Sequence, residues 1–189
     1  PIISRESTEK SVLSTCLNNL DKSWISHIAR LGGNNPETLF GSPRNSAIFK
    51  VMHSIVSSNK SPSMALVEDI LNQKYSQLFE DFENGSYDYL SEIILEPSLD
   101  FDMMDTALND LKESRQQRRI QRDIETLNKD IESDDVDVTS EDIAQRLKDI
   151  IDNTEISQDL QTFAEMTQEI LDAPAPMWTQ SCLLYTSPS

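Results

Sequence analysis

Residues Asp102 to Ser133 read DMMDTALNDLKESRQQRRIQRDIETLNKDIES, and the periodicity of this stretch decides what the chain can build. Met104, Leu108 and Leu111 are spaced four then three, which places them on one face of a helix. The same face would continue at 115, 118 and 122, but arginine stands at all three. A second apolar seam begins at Ile120 and runs through Ile124, Leu127 and Ile131. From Leu111 to Ile120 the backbone turns through about 900°, so the new seam lies half a turn round from the old one. A helix that changes its buried face midway is not the core helix of one compact domain. The spacing predicts a strut of roughly 45 Å whose first half docks into a helical head and whose second half packs elsewhere.

Downstream, the acidic turn Asp134-Asp135-Val136-Asp137-Val138 precedes Thr139, an expected N-cap with Asp142 three positions on in place of the usual Glu or Gln of a capping box. Ile143, Leu147 and Ile150 repeat the four-then-three spacing and match the second seam of the strut. Helix, short turn and helix with matching seams read as an antiparallel hairpin. Each of its helices has one apolar stripe, which two hairpins would cover together in a four-helix bundle. The expected oligomer interface is therefore Ile120, Ile124, Leu127, Ile131, Ile143, Leu147 and Ile150. Beyond it, Phe163, Met166, Ile170 and Leu171 mark a linker helix that docks on a partner surface before Pro174 and Pro176.

Upstream, five short one-sided helices are expected. The first opens near Ser7 and carries Val12, Leu13, Cys16, Leu17 and Leu20. The second starts near Ser23 and ends at Gly32-Gly33. The third has Ser42 as N-cap and Pro43 at its first position, where the missing N–H costs nothing; it buries Ala47, Ile48, Val51, Met52, Ile55 and Val56. The fourth opens at Ser63 with Met64, Val67, Ile70 and Leu71 inward, and the fifth carries Tyr89, Leu90, Ile93 and Ile94 and closes at Pro97. Such helices are stable only when packed on one another. The reading is all-α: a head over 1–112, a hairpin for oligomerisation over 113–155, and a linker over 156–176.

Composition narrows the chemistry. Of 189 residues, 33 are acidic and 16 basic, a net charge of −17, which opposes contact with nucleic acid or anionic membranes. No apolar run is long enough to span a bilayer. With only 4 Gly there is little turn chemistry for sheets, and the two cysteines, Cys16 and Cys182, form no disulfide framework, which favours a reducing, cytoplasmic setting. The chain starts at Pro1 and finishes with SCLLYTSPS, nine residues that read as a translated sequencing adapter, so 177–189 is expected to be non-native and the chain a piece of a longer protein. No phosphate loop, paired Cys or His ligands, or nucleophile motif is present, so no catalytic, cofactor or metal residue is assigned. His27 and His53 stand on separate helices and read as structural or surface residues. Arg115, Arg118, Arg119 and Arg122 are the one basic cluster. With Glu113, Asp123 and Glu125 beside them they suit a salt-bridging face, with a polar partner contact as the alternative.

In order and spacing, the chain resembles the N-terminal region of bacterial and phage replicative DNA helicases of the DnaB type. The residues that carry the resemblance are Glu9-x-x-Val12-Leu13, Leu39-Phe40 ahead of Pro43…Ile48-Phe49, Ser61-Pro62 before Val67…Leu71, Gly85-x-x-x-Tyr89-Leu90, and Arg115…Arg119 on the strut; Ser86 stands where the family usually has a second Gly. The resemblance spans about residues 6 to 172. It implies a helical head, a hairpin that pairs with that of a neighbouring subunit, and a hexameric collar that docks primase and the helicase loader. It also implies that the linker helix clips onto an adjacent motor domain. ATP and Mg belong to that motor, which would follow Pro176, and not to this stretch. The competing expectation is a free-standing acidic helical adaptor, such as a phage helicase loader or a DNA-mimic inhibitor. The concentration of acid tells against a mimic: between Lys129 and Asp172 there are 14 acidic and 3 basic residues.

Overall fold

The computed structural model describes residues 5–18, 22–133 and 139–152, and within them every regular element is a helix. The fold is all-α. Its helices are α1 (Arg5–Asn18), α2 (Ser23–Gly32), α3 (Pro43–Ser57), α4 (Met64–Lys74), α5 (Ser86–Leu95), α6 (Phe101–Glu132) and α7 (Ser140–Asp152). Two short 3-10 helices, Pro36–Leu39 and Ser76–Phe79, join α2 to α3 and α4 to α5. Contacts divide the chain into two units that meet within α6, Pro1–Arg119 and Ile120–Ser189. No helix of the described residues is long and apolar enough to cross a membrane.

In the first unit α3 is the hub, packed against α1, α2, α4 and both 3-10 helices. Its sequence explains this: Ala47, Ile48, Phe49, Val51, Met52 and Ile55 are all buried, a spread wider than a single stripe. Phe40 stacks on Phe49 with ring centroids 5.1 Å apart, and His53 stacks on the same ring at 6.1 Å. From α6, Met104, Leu108 and Leu111 enter the same core, as the four-then-three spacing requires. Each such side chain contributes roughly 1.5–3 kcal/mol as an upper bound.

Helix starts depart from expectation in two places. Ser7 is not an N-cap, because α1 is already helical at Arg5. Ser42 occupies the N-cap position of α3, but its side chain makes no capping bond. The cap comes from another helix. The Glu9 carboxylate, buried at 3% exposure, accepts from the Gly41 N–H at 2.5 Å, the Ser42 N–H at 3.2 Å and Asn45 Nδ2 at 2.8 Å. A negative charge at that helix end is favoured by both the open N–H groups and the helix dipole. Ser63 caps α4 as expected, accepting from the Leu66 N–H.

The rest of α1 is a polar bolt as much as a core helix. Ser14 donates to the Glu96 carbonyl at 2.8 Å, and Thr15 accepts from the Leu99 N–H at 2.9 Å. These bonds fix the segment that leads into α6. Cys16 is buried beside them, and desolvation pushes its thiol up to about 12, so it is inert packing. The linker helix expected at Phe163, Met166, Ile170 and Leu171 lies outside the described residues, as does 177–189.

Candidate assembly surface

The basic cluster on α6 divides by burial: Arg115 and Arg118 are half-buried, Arg119 and Arg122 exposed. Arg115 and Arg118 follow Leu111 on the inward face and reach backbone oxygens of the first unit. Arg115 Nη1 donates to the Gly32 carbonyl at 2.9 Å, and Arg118 Nη2 donates to the Thr38 carbonyl at 3.0 Å and the Leu39 carbonyl at 2.9 Å. Gly32 ends α2 and Leu39 ends the first 3-10 helix, so two cations sit where helix C-termini leave open carbonyls. Gly41 explains how Arg118 comes so close. A Cβ there would lie 2.8 Å from Arg118 Nη1 and 3.2 Å from Glu9 Oε1. Arg119, on another face, and Arg122, one turn beyond Arg118, are both exposed.

The neighbouring acids suggest a salt-bridging face for these arginines, yet Arg115 and Arg118 donate to backbone carbonyls. Arg115 and Arg118 continue the seam in another chemistry: apolar to Leu111, then donors aimed at carbonyls. The boundary between units falls at Arg119, beyond both anchoring arginines, whereas the apolar pattern alone places the head's end at 112.

In the second unit, the end of α6 and α7 carry the expected interface residues. Asp130 forms an ion pair with Arg146. Leu127 and Ile150 line one cavity together with Thr126 and Asp149. Thr139 and Asp142 form a reciprocal cap: Asp142 accepts from the Thr139 N–H at 3.1 Å, and the Asp142 N–H donates to Thr139 Oγ1 at 3.2 Å. The bonds from the Thr139 hydroxyl and N–H hold the Asp142 carboxyl below its ordinary value. Of the seven seam residues only Leu127 is buried. Ile120, Ile143 and Ile150 are half-buried, and Ile124, Ile131 and Leu147 are 40%, 47% and 42% exposed. α7 buries no residue.

The described residues hold no group of three or more His, Cys, Asp or Glu side chains placed to bind a metal ion. His27 packs edge-on against Trp24 at 5.9 Å. No family model, curated protein or solved structure matches this chain.

Proposed function

We propose that this chain is a non-catalytic assembly domain of a replicative DNA helicase, self-associating through α7 and the second half of α6. The observation that carries the reading is the exposed seam of Ile124, Ile131 and Leu147, with Ile151 beside it at 53% exposure; from Ile120 onward α6 buries only Leu127, and α7 buries no residue. An isolated pair of short helices with bare apolar stripes is marginal in water; pairing two such hairpins into a four-helix bundle removes the stripes from solvent. The helicase assignment draws on the resemblance, two of whose residues, Glu9 and Tyr89, are joined through Asn45. Glu9 reaches Asn45, and Asn45 Oδ1 accepts from the Tyr89 hydroxyl at 2.8 Å. In this reading the parent forms a hexamer, docks primase and loader, and keeps ATP chemistry in its motor.

Sedimentation of wild type and Ile124→Asp tests the interface. Ile124 is exposed within its own unit, so the substitution leaves that unit folded. In the bundle it would bury an unpaired carboxylate, costing several kcal/mol. We expect dissociation with unchanged circular dichroism; equal self-association overturns the interface. The helicase reading has a separate test in the gene beyond Pro176. It expects a phosphate-binding GKS or GKT loop there, and a stop codon favours the free-standing adaptor.

A further inference from the structure

Between α1 and the opening turns of α6 the first unit carries a groove of about 410 Å³. This lies within the roughly 300–1,000 Å³ of ordinary ligand pockets. Thr8 and Ser11, one turn apart, form its α1 wall. Its floor is apolar, made by Leu99, Met103 and Ala107. Met103 is 58% exposed, a large unbranched side chain lying open to solvent. Asp102 and Asp110 stand on the same α6 wall two turns apart. The groove is fixed in shape, because the Ser14 and Thr15 hydroxyls tie α1 to the backbone at Glu96 and Leu99.

Charge selects the occupant. Between Lys74 and Lys112 the chain has ten acidic residues and no Lys or Arg. Both cations of α1 are engaged elsewhere: Arg5 donates to Gln117 Oε1 at 2.7 Å, and Lys10 pairs with Glu92 at 3.2 Å. We propose that this groove docks a cationic amphipathic helix of a partner protein. Such a helix lays an apolar side chain on the Leu99–Met103–Ala107 floor and sets Lys or Arg against Asp102 and Asp110. The chain's own segment 153–172 holds five acidic residues and no basic one, so docking it here would bring like charges together. A second copy of the first unit would present the same acids. Whatever the second unit assembles with, the groove keeps this chemistry.

The test uses the full chain and a fluorescein-labelled peptide with leucines on one helix face and lysines on the other, read by fluorescence anisotropy. A second peptide of the same composition with its leucines scattered is the control. We expect the patterned peptide to bind at least about tenfold tighter than the scattered one. Met103→Asp is the deciding variant, since it adds a negative charge while removing the apolar anchor. Weakening by about tenfold supports docking, and unchanged or tighter binding shows attraction by charge alone and overturns it. Asp110→Asn is expected to weaken binding and flatten its salt dependence; no change in either also overturns it. A peptide of residues 156–172 that binds as tightly as the patterned one makes the chain's own segment the occupant. Loss of self-association in Met103→Asp makes it a second copy, and both results overturn the partner proposal.

Discussion

At the scale of single residues, the first unit is set by polar groups that have little water. Glu9, Asn45 and Tyr89 form one chain of hydrogen bonds from α1 through α3 to α5. The Tyr89 ring also lies under Lys10 at 4.9 Å and close to Arg44 at 5.5 Å. Burial pushes the Tyr89 hydroxyl up from 10.0 to about 12, and Cys16 rises from 9.0 to about 12 for the same reason. Both groups stay neutral in the folded chain at pH values where the unfolded chain ionises them. Their contribution to stability is therefore complete below pH 9.0 and is lost as pH rises from there toward about 12. Urea midpoints are expected to hold up to pH 9 and to fall above it, and Cys16→Ala to shallow the first part of that fall. A midpoint that stays flat through pH 11 would mean that neither group is protected. The apolar side of this core was legible from spacing alone. The role of Glu9 was not, because a charged residue on a helix face reads as solvent-facing until the helix end it caps is known.

At the scale of elements, α6 shows where pattern reading succeeds and where it stops. Hydrophobic spacing correctly placed Met104, Leu108 and Leu111 in the core, and it located the 32-residue helix itself to within a residue at each end. Spacing registers apolar area and says nothing of carbonyls. Arg115 and Arg118 therefore looked like an interruption, when their targets are backbone oxygens at Gly32, Thr38 and Leu39. The 3-10 helix at Ser76–Phe79 was missed for a related reason: four residues are too few to show a period, although Phe79 is buried. Arg118→Ala removes two charge-assisted bonds and uncovers two carbonyls, and should cost about 1–3 kcal/mol. Arg119→Ala, one residue along at an exposed position, should cost less, at most about 1 kcal/mol. Urea unfolding followed by circular dichroism separates the two. Equal effects would mean that the arginines act only through overall charge.

At the scale of the whole molecule, the question is where the head ends. The apolar pattern places the end at residue 112, after the last core leucine, whereas contacts place it at Arg119. Between these limits lie Ser114, which is buried, and the two arginines that hold the ends of α2 and the first 3-10 helix. Both truncations keep the α1–α5 core with Met104, Leu108 and Leu111, so both should fold. Only 1–119 retains the anchors. Two groups of charge-assisted bonds together contribute roughly 2–5 kcal/mol, a large part of the roughly 5–15 kcal/mol typical of a domain. The 1–119 chain is therefore expected to unfold cooperatively at a clearly higher urea concentration than 1–112, with a similar dependence on urea, since the two expose nearly the same surface. Coincident midpoints would show that the arginines add no stability and that the head closes at 112. The same 1–119 protein carries none of the seam from Ile120 onward, so it should sediment as a monomer where the full chain associates. Association of 1–119 as tight as that of the full chain would move the assembly surface into the first unit, even if its stability matches expectation.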